Sequence, residues 1–170
     1  MTNDVEGTES GLIDVVVEIP SGTRNKYEFD EVTGRLRLER QLPRSMAYPA
    51  DYGFVPETLA EDGDPLDALV LIDEPVVPGC IVRVKLLGVL WVSDEHGPDP
   101  KLITILPEVA DDVGWVQLND LPTRRLEEID HFFAVYKDLE TGRSVETHGY
   151  GNRDEAIAVV ADGRRRYAEG

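Results

Sequence analysis

Alternating polar and apolar residues in the first half of the chain predict β-strands. The β-branched run over residues 15–20 predicts a strand that ends at its proline. Residues 26–30 and 35–42 also alternate between polar and apolar side chains. The turn over residues 31–34 joins them, so this stretch predicts a β-hairpin.

Three further strands are predicted before residue 107. The short apolar run over residues 68–72 is typical of a buried strand, and residues 101–106 predict another. Residues 81–92 predict a long strand, in which Gly88 marks a bulge or a sharp bend. Residues 43–66 are rich in Pro, Gly and Tyr and predict an ordered loop.

The hydrophobic period becomes helical after Pro122. The apolar residues then fall at helical spacing: Leu126, Ile129, Phe132, Phe133 and Tyr136. Asn152 followed by Glu155 predicts a capping box that opens a second helix, which continues to about Tyr167. Strands come first and helices last, which predicts an α+β, mainly-β fold. Five or six strands, one of them bent at a glycine, can close into a small barrel with the long helix packed against it.

Composition limits the class of protein. The 170 residues are typical of one domain, and 34 Asp and Glu against 17 Lys and Arg give a net charge of −17. This charge repels nucleic acid and anionic lipid, so neither is an expected partner. The chain has no long apolar run and no secretory signal, and Cys80 has no second cysteine to pair with. We therefore expect a cytoplasmic protein, with a flexible tail over residues 1–11 and a single domain over residues 12–170.

Three aspartates precede the predicted buried strand: Asp62, Asp64 and Asp67. Pro65 fixes its own φ and favours an extended conformation at Asp64, so this loop is expected to be rigid. Its carboxylates then point at one volume, where they raise one another's pKa values. A hard divalent cation such as Mg²⁺ or Ca²⁺ would relieve that repulsion, because both ions take oxygen ligands.

An EF-hand calcium loop does not fit this spacing. An EF-hand counted from Asp62 needs an oxygen ligand, a glycine and a glutamate at its fifth, sixth and twelfth positions. The chain has Leu66, Asp67 and Asp73 there. A solvated turn capped by its own acids remains the alternative to a metal site.

A second acidic group, over residues 94–101, follows the long predicted strand. Because it also lies at a strand end, it can face the first acidic loop. With Glu18 on the first strand, the carboxylates then outnumber the ligands that one ion requires. Several metal ions in one site are typical of phosphate chemistry.

Basic and phenolic side chains near these segments can bind phosphate. The basic candidates are Lys26, Arg40, Lys101 and Lys137. Three tyrosines can donate hydrogen bonds to phosphate oxygens: Tyr48, Tyr52 and Tyr136. The alternatives are that each lysine balances local acid and that each tyrosine packs half-buried.

Together these residues resemble the bacterial-type, soluble family I inorganic pyrophosphatases. Residues 62–68, DGDPLDA, match that family's signature at every position. Six further segments resemble family blocks in the same order: VVVEIP, RNKYEFD, MAYPADYGFVPETL, PGCIVRVKLLGVL, DEHGPDPKLI and HFFAVYKDLE. The resemblance covers about residues 12–155. It implies an OB-like, closed five-stranded barrel with flanking C-terminal helices, and Mg²⁺-dependent hydrolysis of pyrophosphate to two phosphates without a covalent intermediate.

The resemblance also implies a role for each candidate residue. The implied metal ligands are Glu18, Glu28, Asp62, Asp67, Asp94 and Asp99. Asp64 is implied as the group that takes a proton from the attacking water, with Asp99 as the alternative acceptor. The implied pyrophosphate contacts are Lys26, Arg40, Tyr52, Lys101, Tyr136 and Lys137, with Tyr48 behind them.

The resemblance further implies several Mg²⁺ ions per site, with Mn²⁺ or Zn²⁺ as substitutes and Ca²⁺ as an inhibitor. It implies a homo-oligomer, with a hexamer favoured.

Two rival functions stay open. A non-catalytic cation buffer explains the carboxylates but not the basic residues beside them. A metal-dependent phosphoesterase explains both, and it would release phosphate from organic phosphates instead of pyrophosphate.

Overall fold

A computed structural model describes residues 10–170, which contain nine strands and three α-helices. The strands are β1 (Leu12–Ile19), β2 (Asn25–Asp30), β3 (Arg35–Gln41), β4 (Asp51–Phe54), β5 (Asp67–Leu71), β6 (Ile81–Asp94), β7 (Gly97–Pro98), β8 (Lys101–Ile105) and β9 (Val145–Gly151). The helices are α1 (Pro107–Val113), α2 (Thr123–Val135) and α3 (Arg153–Glu169). The predicted tail over residues 1–11 lies outside this part of the chain, apart from Ser10 and Gly11. In the part described, every helix is too short or too polar to cross a membrane.

Five of the strands pair in a closed ring. The pairs β1–β4, β4–β5, β8–β6 and β6–β1 are antiparallel, and β5 pairs with β8 in parallel. Closure leaves no ring strand with an unpaired edge. The short β7 and the later β9 extend β6 outside the ring, while β2 and β3 form a separate two-stranded sheet. This topology confirms the predicted α+β, mainly-β fold with a five-stranded barrel.

Apolar side chains on the two faces of β5 enter two different cores. Ala68 and Val70 join a cluster with residues of β1 and α3: Val15, Val17, Ala156 and Val160. Leu69 and Leu71 join the other cluster, which includes aromatic residues of β4 and α2: Tyr52, Phe132 and Phe133. Burial on both faces is typical of parallel pairing, and it explains the continuous apolar run in the sequence.

The predicted elements mostly agree with the structure. The hairpin, the strands on β1, β5, β6 and β8, and both long helices are confirmed, with ends that differ from the predicted ones by at most three residues. The capping box between Asn152 and Glu155 is also present. In β6 the pairing register with β8 shifts between Leu86 and Gly88, so the predicted bulge is confirmed.

The prediction of a loop over residues 43–66 is wrong, because β4 lies inside it. Its sequence, DYGF, contains a glycine and an aspartate and is too short to show alternation. The strand forms because β1 and β5 pair with it on either side. The buried carboxylate of Asp51 also accepts hydrogen bonds from the backbone N–H groups of Ser21 and Val76, at 2.8 Å and 2.9 Å.

The predicted order of strands first and helices last is wrong as well. α1 follows β8 directly, and β9 lies between α2 and α3. β9 has the sequence VETHGYG, whose two glycines and polar residues give a weak strand signal. It becomes a strand because β6 offers it an edge.

The bulge at Gly88 predicts a cost for any larger side chain. A Cβ atom there would lie 2.3 Å from Leu118 Cδ1 and 2.6 Å from the carbonyl oxygen of Gly151. We expect Gly88→Ala to lower the free energy of unfolding by about 1–3 kcal/mol, measured by urea denaturation. Gly170→Ala is the control, because its Cβ comes no closer than 3.5 Å to a neighbour. Equal stability of the two variants would contradict the close packing at the bulge.

Candidate active site

The ammonium group of Lys101 is buried between two carboxylates. Its Nζ lies 2.6 Å from Asp67 Oδ2 and 2.6 Å from Asp99 Oδ2, and its side chain is only 2% exposed. Asp67 and Lys101 are the first residues of the parallel strands β5 and β8, and they are paired in register. The rings of Tyr52 and Phe133 lie 5.7 Å and 5.8 Å from Nζ, within range of cation–π attraction.

This arrangement leaves one positive charge shared by two negative ones. Burial alone would lower the pKa of Lys101, but Asp67 and Asp99 outweigh it, so its pKa lies above the usual range. Burial raises the pKa of Asp99, and the charges of Asp67 and Asp62 raise it further against the opposing effect of Lys101. The group therefore carries an uncompensated negative charge.

The turn before β5 brings Asp62 and Asp64 toward the same group. Gly63 adopts a φ of 89°, which favours glycine, and the backbone N–H of Asp64 donates to Asp62 Oδ1 at 3.0 Å. Partial burial raises the pKa of Asp64, and the charges of Asp62 and Asp67 raise it further. The three aspartates of this segment thus lie within electrostatic reach of one another.

Glu18, on β1, joins these acids from the neighbouring strand. Its Oε1 accepts a hydrogen bond from the backbone N–H of Phe29 at 2.7 Å. Burial raises the pKa of Glu18 to about 7, and the charges of Asp67 and Glu28 also raise it, while the Phe29 N–H opposes the rise. Burial and the neighbouring carboxylates therefore both favour the protonated form of Glu18.

The hairpin of β2 and β3 contributes a lysine to the same region. Lys26 Nζ lies 2.8 Å from Glu28 Oε1 and also contacts the carboxylate of Glu39. Lys26 and Glu28 both influence the pKa of Asp64, which links the hairpin to the turn before β5. Arg40 is the register partner of Lys26 on β3.

Lys137, the last of the candidate lysines, contacts the second acidic segment, residues 94–101. Lys137 Nζ lies 3.1 Å from Asp94 Oδ2, at the end of β6, and 3.9 Å from Glu95 Oε2. Burial would raise the pKa of Asp94, but the backbone N–H of His96 and the charge of Lys137 lower it below the usual range. The ring of Tyr136 lies 5.6 Å from Lys137 Nζ.

Three buried tyrosines connect the two lysine groups. The ring centroids of Tyr48 and Tyr52 are 5.4 Å apart, and Tyr136 stacks on Phe132 at 5.3 Å. Burial raises the pKa of all three phenols, which therefore stay protonated. The charges of both Lys101 and Lys137 oppose this rise in the pKa of Tyr136, so its hydroxyl lies within electrostatic range of both lysines.

Arg40 has hydrogen-bond donors without partners. Its Nη1 donates to Glu140 Oε2 at 2.8 Å, whereas Nε and Nη2 are buried and make no hydrogen bond within residues 10–170. Unpaired buried donors are costly, and a guanidinium group binds phosphate well. Arg40 can therefore satisfy an anion with the donors that the protein leaves unpaired.

Ion pairs and charge effects link the candidate residues to one another, and among these candidates seven carboxylates outnumber four basic groups. Within residues 10–170, no group of three or more His, Cys, Asp or Glu side chains is arranged to hold a metal ion. Asp67 and Asp99 point to Lys101 instead, and Glu28 points to Lys26. The donor set nevertheless fits a hard divalent cation, because it consists of carboxylates whose charges are not fully balanced.

Comparison with known proteins identifies the family. The family model described as inorganic pyrophosphatase matches residues 15–168. This chain belongs to the inorganic pyrophosphatase family. Among its relatives, the inorganic pyrophosphatase of Streptomyces coelicolor is 50% identical over 161 residues, which are 92% of this chain and 96% of that protein.

Solved structures of inorganic pyrophosphatases have the same fold. The Thermus thermophilus structure has a TM-score of 0.89 at 42% identity and covers 93% of this chain and 92% of its own. The Helicobacter pylori structure has a TM-score of 0.89 at 40% identity and covers 94% of this chain and 95% of its own. The predicted family, its OB-like barrel and the prediction of an enzyme are thereby confirmed.

Three acids form ion pairs with the candidate basic residues, although the sequence did not single them out as site residues. They are Glu39, Glu95 and Glu140. The contact of Glu39 with Lys26 could have been expected from the hairpin register, which pairs the neighbouring Arg40 with Lys26. Glu95 stands beside Asp94 in the acidic segment. No local pattern indicates Glu140, because its partner lies 100 residues earlier in the chain.

The raised pKa of Glu18 predicts pH-dependent stability in the metal-free protein. Its folded pKa of about 7 exceeds the ordinary value of 4.5, so the folded state binds more protons between these values. Stability from Glu18 is therefore lost as the pH rises through this window. We expect the wild type in chelator to lose on the order of 2 kcal/mol relative to Glu18→Gln between about pH 5 and about pH 8. Urea denaturation of both proteins at each pH measures this difference.

Glu31→Gln is the matched control, since Glu31 is exposed on the hairpin turn. It should follow the wild type at both pH values. If Glu18→Gln also follows the wild type, burial does not disfavour the ionised Glu18 carboxylate.

Proposed function

We propose that this protein hydrolyses inorganic pyrophosphate to two phosphates with the help of Mg²⁺. The observation that carries the proposal is the meeting of excess carboxylates, buried lysines and the unpaired N–H groups of Arg40 in one place. Carboxylates suit Mg²⁺, and basic side chains suit phosphate. The naming of relatives at up to 50% identity as inorganic pyrophosphatases supports pyrophosphate as the substrate.

The proposed metal ligands are Glu18, Glu28, Asp62, Asp67, Asp94 and Asp99. Several divalent cations would offset the surplus of negative charge and so allow an anionic substrate to approach. Bound Mg²⁺ would supply Lewis-acid stabilisation of phosphate oxygens and a lower pKa for water. Mn²⁺ or Zn²⁺ are proposed as substitutes, and Ca²⁺ as an inhibitor, because Ca²⁺ prefers a larger and more flexible ligand shell.

The proposed substrate contacts are Lys26, Arg40, Tyr52, Lys101, Tyr136 and Lys137, with Tyr48 packed behind them. The lysines and Arg40 would neutralise charge on the phosphate groups, including the charge that develops on the leaving phosphate. The protonated phenols add neutral donors, which bind phosphate oxygens without adding to the positive charge of the site.

Asp64 is the proposed proton acceptor for the attacking water, and the reaction needs no covalent intermediate. Its raised pKa favours proton acceptance, and no lysine forms an ion pair with it among the contacts of the described residues. Asp99 is the alternative, but Lys101 already holds one of its oxygens at 2.6 Å. The distribution of ion pairs thus favours Asp64.

A cytoplasmic location and a homo-oligomer, with a hexamer favoured, stay predictions. Size-exclusion chromatography with light scattering would measure the mass of the assembly in solution.

Phosphate release separates this proposal from its rivals, and the Mg²⁺ requirement tests the site. We expect release from pyrophosphate but not from a phosphate monoester, loss of activity in chelator and recovery with excess Mg²⁺.

Asp67→Asn should raise the Mg²⁺ concentration for half-maximal activity at least tenfold, which corresponds to about 1.4 kcal/mol of lost binding free energy. Asp73→Asn is the control, because Asp73 is exposed just beyond β5.

Three outcomes contradict the proposal. Release only from the monoester would favour a phosphoesterase, and no release from either substrate would favour a cation-binding protein. Matching Mg²⁺ curves for the two variants would mean that Asp67 does not bind the metal.

Asp64→Asn tests the proton acceptor. The amide keeps the size of the side chain but cannot accept the proton, so we expect kcat to fall by roughly 10² or more. The Mg²⁺ requirement should change less than in Asp67→Asn. Steady-state kinetics across the pH range measure both effects. An unchanged kcat in Asp64→Asn, with a large loss in Asp99→Asn, would move the role to Asp99.

A further inference from the structure

The guanidinium group of Arg40 is held from one side only. Nη1 donates to Glu140 Oε2 at 2.8 Å, while Nε and Nη2 are buried and have no hydrogen-bond partner in the part of the chain that the structure describes. A guanidinium group is planar and rigid, so fixing one nitrogen limits where the other two can point. The Glu140 carboxylate therefore restricts the orientation of the two free donors.

Glu140 itself lies in a firmly connected position. Its backbone N–H donates to the carbonyl oxygen of Lys137 at 2.9 Å, which ties it to another proposed substrate contact. Its Oε2 also lies 3.3 Å from Arg143 Nε, a more exposed group on the same loop. The carboxylate is about four-fifths shielded from solvent, so water competes weakly for its contact with Arg40.

The pair also joins two parts of the fold that share no strand pairing. Arg40 belongs to the separate sheet of β2 and β3, and Glu140 follows α2 in the main body. No backbone ladder connects the hairpin to the loop that carries Lys137 and Glu140. Among the hydrogen bonds and ion pairs of the described residues, the Arg40–Glu140 pair connects Arg40 to that loop.

We propose that Glu140 is a positioning residue for pyrophosphate binding. Its carboxylate holds Arg40 so that Nε and Nη2 stay directed at a phosphate group of the substrate. Glu140 acts through Arg40 and does not touch pyrophosphate, because its negative charge would repel the substrate. This inference rests on the proposed function.

Steady-state kinetics of Glu140→Gln test the role. The amide keeps the size of the side chain but loses the charge that holds Arg40. We expect the KM for pyrophosphate to rise about tenfold while kcat stays within about twofold. Arg40 binds the phosphate group in the ground state and the transition state alike, and the lysines and Mg²⁺ neutralise most of the charge that develops on the leaving phosphate. Glu140→Asp restores the charge on a shorter side chain, so its KM should rise by only about threefold.

A double-mutant cycle with Arg40→Ala separates positioning from a general structural role. In the Arg40→Ala background, Glu140→Gln should raise the KM by less than about twofold, because the group it positions is absent. Arg143→Gln is the matched control. It removes the other cation beside Glu140, and its KM should equal that of the wild type.

Several results would overturn the inference. They are an unchanged KM in Glu140→Gln, an equal rise in both backgrounds, or a lowered melting temperature with no change in KM. If the wild type does not hydrolyse pyrophosphate, the proposed function fails first, and the kinetics of the wild type reveal this before any variant is compared.

Discussion

The site depends on one buried ion triad, in which the ammonium group of Lys101 separates Asp67 from Asp99. Burying an ammonium group is expensive unless its charge is paired and its protons are bonded. Two carboxylates at 2.6 Å meet both conditions, and two aromatic rings enclose the group. The pairing depends in turn on the parallel register of β5 and β8, because that register sets Asp67 beside Lys101. A slip of one residue would send the two side chains to opposite faces of the sheet.

The surplus of acid around this triad has a structural cost and a chemical use. Burial first, and neighbouring carboxylates after it, raise the pKa values of Glu18, Asp64 and Asp99, so each is less stable in its ionised form than it would be in water. The two apolar cores on either side of β5 and β8 supply the rigidity that holds these charges together. The proposed divalent cations would relieve the repulsion among these carboxylates, and this relief would contribute to the affinity of the site for the cations.

Local patterns were sufficient for elements whose own sequence decides their structure. The apolar run of β5, the hairpin and the capped helix α3 could each be predicted from adjacent residues. β4 and β9 could not, because DYGF and VETHGYG form strands only where β1, β5 and β6 supply partners.

The site shows the same division between local and long-range information. The aspartates of residues 62–67 were visible as a cluster, and the family resemblance supplied the other candidates. The ion pair of Arg40 with Glu140 joins residues 100 positions apart and has no trace in either neighbourhood. Only the folded chain reveals which carboxylate holds which cation.

Closure of the ring also sets the order in which the chain can fold. β1 reaches its partner β6 only after some seventy residues, and Asp14 pairs with Arg83 across that gap. Contacts so distant in sequence slow folding, because the intervening chain must be ordered before they form. During synthesis, β4 becomes available to β1 first, and the ring can close only after β6 has left the ribosome. β8 and α2 must follow before Lys101 and Lys137 can complete the site. Glu18 is made among the first residues of this pocket and has Phe29 and Asp67 available early, but the ring that holds them together closes only when more than half of the protein has been translated.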